Sequence, residues 1–480
     1  MKQLNQLLLI VLTLGLVLCT SAWNTLLAQE GYALDITVKD YDEPHILLGY
    51  YLANRSFIQD TVRMTAPGKY MAKGSEPLAP GMYLIILPPD NRFADFIIAE
   101  GDQHMQIELN QKEPGRSLKI TGSPNNDMFL DYTRFIASKR EKVNGYQEII
   151  EQTDDEKQKE SVRAQLKAVN EEVLARQQQE IENASDLLAS RIIRSTVDIV
   201  VPDPEEEMNE QEEQLWRYHY YKSRYFDQFD ITDPDMLRTP MMFNKLTNYM
   251  DRMTPRIPDS INAALDLILN KMEEPAPESF KFFLIHFLNE YARSNVVGMD
   301  AVYVHLVKNY YETNRAPWTD PDQQKRMVDN ANALKPLLIG KTAPDLLMQD
   351  EKGNNHRLHE VDAEITILYF WDPECGHCKK SAPHLVSFFE EFKDRDVKIF
   401  SVCNKLTNQV PECWKSVKEY KFENFINVAD AYHRSRYRTL YDLKSTPQIY
   451  VLDRDKTIVS KRIGAEQLKE VVDMILKAGA

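Results

Sequence analysis

The sequence predicts a multidomain protein built from an all-β, sandwich-like domain, an all-α helical domain and an α/β domain. Three observations lead to this class. Short apolar runs separated by Pro and Gly occupy residues 29–124, and helical periodicity fills residues 125–338. Strand-like and helix-like segments then alternate over residues 339–480. The chain length of 480 residues also exceeds the size of one ordinary domain.

Residues 1–28 have the pattern of a secretory signal peptide. Lys2 precedes an apolar run over residues 7–18, and small residues follow it. A transmembrane helix needs about 20 apolar residues, so this run is short for a membrane span. We therefore expect export to the periplasm or cell envelope. Cys19 leaves open a lipid anchor, so the exported protein is either soluble or tethered by a lipid or an uncleaved signal.

The charge balance excludes one class of partner. The formal net charge is −15, and charged residues make up 27% of the chain. A protein without a basic surface cannot offset the repulsion of a phosphate backbone, so we expect no nucleic acid partner. The hydrophobic content of 43% is ordinary for folded globular protein.

The first domain, residues 29–124, is predicted to consist of short strands. Turn signals such as Pro67-Gly68 and Pro80-Gly81 separate them. The predicted strands are Leu34–Val38, Ile46–Tyr51, Met82–Leu87, Phe93–Ala99 and Met105–Leu109. Strands at this spacing favour a small sandwich or partial barrel.

The second domain, residues 125–338, is predicted to be helical. Ser161–Leu188 is rich in helix-forming residues, and Pro-rich breaks divide the region into several helices. One apolar face follows the i, i+3, i+4 rule: Phe280, Phe283, Leu284, Phe287, Leu288 and Tyr291. Neither of the first two domains shows a motif that assigns it chemistry.

The third domain, residues 339–480, alternates strands and helices. The predicted strands are Ile365–Phe370, Val397–Val402 and Gln448–Leu452, and the predicted helices are Ser381–Phe392 and Ala465–Leu476. This alternation predicts an α/β sheet.

Cys375 and Cys378 lie between a predicted buried strand and a predicted helix. That position places Cys375 at a helix N-terminus, where free N–H groups and the helix dipole favour the thiolate. The thiolate is the nucleophile in disulfide exchange. Cys378 follows one helical turn later, within reach of a mixed disulfide at Cys375. The spacing therefore predicts a redox pair in which Cys375 attacks and Cys378 resolves.

Two other interpretations of this pair stay open. A Cys-x-x-Cys can be half of a zinc site, but the next cysteines, Cys403 and Cys413, lack the close spacing of a second half. We therefore expect no metal. A purely structural disulfide would close too small a loop to constrain much of the unfolded chain.

Cys403 and Cys413 allow three interpretations. In an oxidising compartment they are expected to form a local structural disulfide. They could instead be two free thiols, or a second redox pair that relays electrons. Their spacing gives the relay no special support.

Residues 340–480 resemble the TlpA/ResA-like thiol–disulfide oxidoreductases of the thioredoxin superfamily. The resemblance rests on Gly340-x-x-Ala343-Pro344-Asp345, Asp350-x-x-Gly353, Trp371 ahead of the cysteines, Pro383 after them, and Ser445-Thr446-Pro447 before a strand. It implies a thioredoxin fold in which the Thr446–Pro447 peptide is cis, faces the cysteines and guides the chain of a client protein. It also implies that Trp371 packs beside the pair.

Residues around the cysteines are expected to tune the pair. Many relatives have a glutamate three residues after the second cysteine, where this chain has Ser381. Asp372 and Glu374 are nearby carboxylates that would oppose thiolate formation, although a simple surface role is the more ordinary interpretation. The dipeptide Gly376-His377 acts in the opposite sense, because a histidine there stabilises the thiolate and makes the disulfide more oxidising.

The resemblance implies an exported enzyme that exchanges disulfides with client proteins through Cys-Gly-His-Cys. No dissociable cofactor is needed, but another thiol protein must supply or accept electrons. The resemblance favours the reductive direction, while Gly376-His377 keeps oxidase or isomerase activity open. The alternatives are a thiol peroxidase and an envelope binding or scaffold protein with a passive redox fold. Residues 29–338 resemble, more loosely, domains of unknown function that precede exported TlpA-like thioredoxins.

Overall fold

The computed structural model describes residues 31–183 and 186–478. The predicted signal peptide, with Cys19, lies outside these residues, so export stays a prediction. The chain forms two compact units. Within the described residues, the first runs to residue 253 and includes 271–279, and the second comprises residues 254–270 with 280–478. The predicted domain boundaries at 124/125 and 338/339 also stay predictions.

The N-terminal region is rich in β-structure, as the sequence predicts. Its strands form one eight-stranded sheet in the order β6-β5-β2-β3-β4-β1-β7-β8. They are β1 Tyr32–Lys39, β2 His45–Leu52, β3 Arg55–Ala66, β4 Lys69–Gly74, β5 Gly81–Leu87, β6 Arg92–Ile98, β7 His104–Asn110 and β8 Lys119–Thr121, with the short helix α1 Pro114–Ser117 between the last two. Whether this sheet packs as a sandwich stays a prediction.

Alternating burial explains why these segments form strands. In β1, Leu34, Ile36 and Val38 are buried, and the residues between them are more exposed. This period of two places the apolar side chains on one face of the sheet. β1 pairs with β4 antiparallel and with β7 parallel, so it lies inside the sheet.

The middle of the chain is helical, as predicted. The helices are α2 Pro124–Gln152, α3 Glu156–Asn183, α4 Leu188–Ser195, α5 Glu210–Ser223, α6 Pro240–Arg252, α7 Pro258–Met272, α8 Pro277–Ala292, α9 Asp300–Leu306 and α10 Pro321–Leu334. The predicted apolar face near Phe280 belongs to α8, where Phe283, Leu284 and Phe287 are buried and Tyr291 is half-buried. The predicted helix Ser161–Leu188 corresponds to α3 and the start of α4.

The C-terminal part of the second unit contains a seven-stranded sheet in the order β10-β9-β13-β12-β11-β14-β15. Its strands are β9 Leu347–Gln349, β10 Asn355–Arg357, β11 Ile365–Trp371, β12 Val397–Cys403, β13 Ile426–Ala429, β14 Gln448–Leu452 and β15 Ile458–Lys461. Its helices are α11 Gly376–Phe392, α12 Val410–Glu419, α13 Tyr437–Leu440 and α14 Leu468–Ala478.

The central strand β11 is buried along its whole length. It pairs with β12 in parallel and with β14 antiparallel. Alternate side chains enter two different cores. Ile367 and Tyr369 pack in one hydrophobic cluster, and Leu368 and Phe370 pack in another. Because both faces are covered, the strand is a continuous apolar run rather than an alternating one.

None of the helices within residues 31–183 and 186–478 combines the length and the apolar character that crossing a membrane requires.

Candidate active site

The site lies where β11 ends and α11 begins. β11 carries the chain through the centre of the sheet to Trp371, and α11 starts at Gly376. The intervening turn is held by a hydrogen bond from the Cys375 N–H to the Asp372 carbonyl oxygen, at 3.1 Å. The helix therefore begins directly after Cys375, where the sequence places a helix N-terminus; it extends the periodic segment Ser381–Phe392 by five residues and includes Cys378.

Cys375 is the N-cap of α11. Its sulfur accepts a hydrogen bond from the backbone N–H of Cys378, with 3.4 Å between the nitrogen and Sγ. The first N–H groups of a helix have no partner within the helix, so they are available to stabilise negative charge. This is the position that the strand–cysteine–helix order in the sequence predicts.

The two thiols differ in accessibility and acidity. Cys375 is half-buried and Cys378 is buried. Burial opposes ionisation of Cys375, but hydrogen bonds from the backbone and thiol of Cys378 lower its pKa below the ordinary value. Burial raises the pKa of Cys378 to about 12. At neutral pH Cys375 therefore ionises more readily than Cys378, and the thiolate is the reactive form of a cysteine.

Thr446 and Pro447 lie opposite the cysteines. The Cys375 thiol donates a hydrogen bond to the Thr446 carbonyl oxygen at 3.2 Å, and the Thr446–Pro447 peptide bond is cis. Both residues are half-buried. They precede β14, and the antiparallel pairing of Phe370 with Gln448 explains why two segments so distant in sequence meet here.

Trp371 packs in the same hydrophobic cluster as Cys378. Its indole Nε1 donates a hydrogen bond to Ser401 Oγ at 2.8 Å, so the buried N–H is satisfied. The ring makes edge-on contacts with Tyr420 and Phe422. Trp371 is therefore a fixed wall of the core beneath the cysteines rather than an exposed residue.

The carboxylates near the cysteines are paired with a lysine. Lys405 Nζ lies 2.5 Å from a Glu374 oxygen and 3.3 Å from an Asp372 oxygen. The Lys405 side chain is only 6% exposed. Its hydrogen bond holds the pKa of Glu374 below the ordinary value. The lysine charge offsets the negative charge that sequence reasoning expected to oppose thiolate formation at Cys375.

Gly376 and His377 occupy the first turn of α11, and both are exposed. A Cβ placed at Gly376 would meet no atom within 4 Å, so close packing does not require a glycine there. His377 and the half-buried Ser381 line a cleft beside the site. The usual acid at the Ser381 position is absent from this sequence.

Cys403 and Cys413 form a disulfide, with S–S 2.03 Å. Cys403 ends β12 and pairs with Trp371 across the parallel ladder, so the disulfide lies next to the strand that leads to the redox pair. Both cysteines are buried in the cluster that contains Cys378. Across the described parts of the chain, no group of three or more His, Cys, Asp or Glu side chains could hold a metal ion.

Sequence reasoning missed Lys405 and Tyr369. Lys405 follows the end of β12, the parallel neighbour of β11, and the carboxyl ends of parallel strands meet at one edge of a sheet. This rule about parallel strands could have identified Lys405 from the sequence. Tyr369 is buried on β11, and its hydroxyl faces the Cys378 thiol, a weak hydrogen-bonding group. Burial and then the nearby Cys378 thiol raise its pKa. No pattern in the sequence around Tyr369 indicates that its side chain lies beside Cys378.

A central strand, a cysteine at the helix N-terminus, a buried second cysteine and a facing cis-proline together define a thioredoxin-like thiol–disulfide oxidoreductase domain. Residues 339–461 match the AhpC/TSA family model. The C-terminal domain belongs to the thioredoxin superfamily and is related to the TlpA/ResA-like thiol–disulfide oxidoreductases.

Several named proteins are similar to this part of the chain. The chain is 25% identical over 141 residues to the thiol-disulfide oxidoreductase ResA of Bacillus cereus. The matched region covers 29% of this chain and 78% of that protein. A domain of a possible thiol-disulfide isomerase from Cytophaga hutchinsonii is 34% identical, with coverage of 30% and 96% and a TM-score of 0.28. A thiol:disulfide interchange protein from Bacteroides sp. is 24% identical, with coverage of 29% and 90% and a TM-score of 0.27.

The preceding regions match two domains of unknown function, DUF4369 over residues 32–129 and DUF5106 over residues 198–335. The expectation of N-terminal domains of unknown function is confirmed.

Proposed function

We propose that this protein is an exported thiol–disulfide oxidoreductase that reduces disulfides in client proteins through its Cys-Gly-His-Cys pair. The observation that carries the proposal is the asymmetry of the two thiols. Cys375 is accessible and has a lowered pKa, whereas Cys378 is buried and has a pKa of about 12. Cys375 is suited to attack a client disulfide, and Cys378 is suited to resolve the mixed disulfide afterwards.

In the first step the Cys375 thiolate attacks one sulfur of a client disulfide. A Cys375–client bond forms, the client S–S bond breaks, and the second client sulfur leaves as a thiolate that takes up a proton. The helix N–H groups that stabilise the thiolate are already aligned, so they need no rearrangement. The chain on either side of the client sulfur passes Thr446 and Pro447, which face Cys375.

In the second step Cys378 attacks Cys375 Sγ, and the proton of its thiol passes to the departing client sulfur, directly or through water. The Cys375–Cys378 disulfide forms, the mixed disulfide breaks, and the first client sulfur leaves as a thiol. The client gains two electrons and the pair loses two. A thiol partner protein must then reduce the pair before the next cycle.

The resemblance to the ResA-like proteins supports the reductive direction. An oxidising pair needs a reduced form that is strongly stabilised. Burial keeps Cys378 neutral at neutral pH, so only the Cys375 thiolate contributes such stabilisation, and the reduction potential of the pair measures how large it is.

Export and architecture complete the proposal. The signal-like residues 1–28 support export to the periplasm or envelope, in soluble or tethered form. The Cys403–Cys413 disulfide supports it too, because such bonds persist in oxidising compartments. We assign residues 29–124 to a sandwich-like domain, 125–338 to a helical domain and 339–480 to an α/β thioredoxin fold. The first two domains then position the third on its client.

The test is capture of a mixed disulfide. The reduced Cys378→Ser variant should form a stable covalent adduct with insulin, visible on a non-reducing gel and released by dithiothreitol. The Cys375→Ser variant is the matched control and should form none. Equal adduct formation in both variants would assign nucleophilic attack to the wrong cysteine.

Two further measurements separate the alternatives. A reduction potential near thioredoxin's value of about −270 mV supports a reductase, and one of about −120 to −180 mV indicates an oxidase or isomerase. Rapid Cys375-dependent consumption of hydrogen peroxide would favour a thiol peroxidase. A pair that does not equilibrate with dithiothreitol would leave only the binding-protein alternative.

A further inference from the structure

A cleft of about 810 Å³ opens beside the active site, and all of its lining residues belong to the second compact unit. His377 and Pro447 line it at the end nearest the cysteines. Its volume is that of a site that holds a short peptide segment or a drug-sized ligand. The cleft is therefore large enough for the part of a client chain that flanks the reacting cysteine.

One wall of the cleft lies outside residues 339–480, the redox domain predicted from the sequence. It comes from the helical region, and its lining residues include Tyr291, Ala292, Tyr303, Asn330 and Leu334. The opposite wall comes from α11 and the segments around β14 and β15. The helical region thus contributes surface directly beside the cysteines.

Buried and surface contacts fix the helical wall in place. Asp300, at the start of α9, forms an ion pair with Lys461 of β15, whose side chain is only 2% exposed. Lys461 Nζ also donates a hydrogen bond to the Leu337 carbonyl oxygen. At the rim, Lys444 Nζ donates to Asn330 Oδ1 at 3.0 Å. The cleft is therefore a fixed feature of this unit.

Two acids of the cleft are already neutralised. Asp300 is paired with Lys461, and Asp442 lies 3.0 Å from Lys444. These pairs leave little negative charge for a ligand to meet at this part of the cleft.

Two basic side chains remain available. Lys380 and Arg462 line the cleft, and no carboxylate among the described residues lies within ion-pair distance of either. Glu466 is the remaining acid in the lining. His377 and His384 add ring nitrogens that can donate hydrogen bonds. The cleft thus offers more positive than negative charge, on a protein whose net charge is −15.

We propose that this cleft is a client-recognition site, and that it takes an extended client segment carrying Asp or Glu next to its reacting cysteine. Lys380 and Arg462 attract the client carboxylate, and the helical wall around Ala292 contacts the rest of the segment. The inference rests on the proposed disulfide exchange at Cys375. It gives the helical region a role in choosing clients, and it makes Arg462 a specificity residue.

The test uses two fluorescence-quenched, disulfide-linked peptides that differ only in Glu or Lys next to the cysteine. The rate constant for reaction with the reduced full-length protein is measured in a single turnover, so no electron donor is needed. We expect the Glu peptide to react at least five-fold faster at low salt. The ratio should approach one in 0.5 M NaCl, because salt screens exposed charges.

Two variants locate the effect. Arg462→Glu should abolish or invert the preference, whereas the control Lys398→Glu, at the opposite end of β12 from Cys403, should keep it. Ala292→Trp narrows the cleft from the exposed end of α8 and should slow both peptides at least ten-fold relative to the small disulfide of 2-mercaptoethanol. Circular dichroism checks that each variant is folded.

The outcomes separate two failures. Equal rates for the Glu and Lys peptides, with the wild-type protein active on both, would overturn the recognition site and leave the proposed function intact. An Ala292→Trp variant that reacts with peptides at the wild-type rate would also overturn it. Absence of reaction with either peptide and with the small disulfide would overturn the proposed function itself.

Discussion

Alkylation of the two active-site thiols provides a quantitative check of their predicted difference. A pKa of about 12 leaves roughly one Cys378 thiolate in 10⁵ molecules at pH 7. An ordinary thiol with a pKa near 8.5 has about one thiolate in thirty at the same pH. Cys378 should therefore react about three thousand-fold more slowly with iodoacetamide than a free cysteine, and its burial slows the reaction further.

The measurement uses single-cysteine variants that keep the Cys403–Cys413 disulfide. In Cys375→Ser, the rate constant for Cys378 is followed by mass spectrometry from pH 6 to 10. In Cys378→Ser, the rate for Cys375 is followed in the same way. The rate for Cys375 should level off at a lower pH than that of free cysteine, because its pKa is lowered. The rate for Cys378 should still be rising at pH 10.

Denaturation supplies the control, since in urea both cysteines should react like free cysteine. The reasoning is refuted if native Cys378 reacts within ten-fold of the denatured sample at pH 7. The same conclusion follows if the pH profiles of the two thiols coincide, because the separation of attacking and resolving roles depends on that difference.

Three further predictions test the surroundings of the pair. Lys405→Met removes the charge that offsets two carboxylates, so the pKa of Cys375 should rise, as thiolate absorbance at 240 nm would record; an unchanged titration would contradict this. Asp300→Asn leaves the buried Lys461 ammonium unpaired and should lower the free energy of unfolding in urea by about 3–5 kcal/mol; a loss below about 1 kcal/mol, typical of an exposed pair, would show that the ammonium is solvated. Tyr369→Phe removes a buried hydroxyl whose hydrogen-bonding neighbour among the described residues is the weak Cys378 thiol, so the free energy of unfolding should stay within about 1 kcal/mol of the wild type; a larger loss in the same urea assay would contradict this.

Sequence reasoning predicted best the elements whose burial leaves a clear apolar pattern in the sequence. Ile365–Phe370 is apolar throughout because both faces of β11 are covered, and it forms the strand that was expected. β3 was missed because only Val62 of its twelve residues is buried, so no buried apolar face runs along it. Its hydrogen bonds to β2 and β4 define it instead, and these are not visible in one segment alone.

The start of α11 was marked by the cysteines rather than by periodicity. Apolar periodicity is visible only from Ser381, whereas the position of Cys375 after a buried strand predicted the helix N-terminus. In the structure the helix begins at Gly376, with Cys375 as its N-cap, and continues through Pro383. Packing of Cys378, Ala382 and Leu385 against the sheet outweighs the low propensity of the first turn.

The charge pairing at the site could not be predicted from local sequence either, because it also depends on contacts between distant segments. Lys405 is 31 positions from Glu374 in the chain, and only the parallel pairing of β11 with β12 brings them together. The same pairing places Cys403 beside Trp371. Sequence identified the reacting atoms, but their charge environment depends on contacts between strands.

The partners of Lys461 bear on how the protein can be divided. A fragment cut at residue 339 would contain the redox pair, the cis-proline and the whole seven-stranded sheet. It would lack Asp300 and Leu337, which supply the carboxylate and the carbonyl oxygen bound by the Lys461 ammonium. That ammonium would then need water where it now has protein ligands. A fragment that keeps the protein ligands of Lys461 therefore includes α9 and the segment that joins it to the sheet.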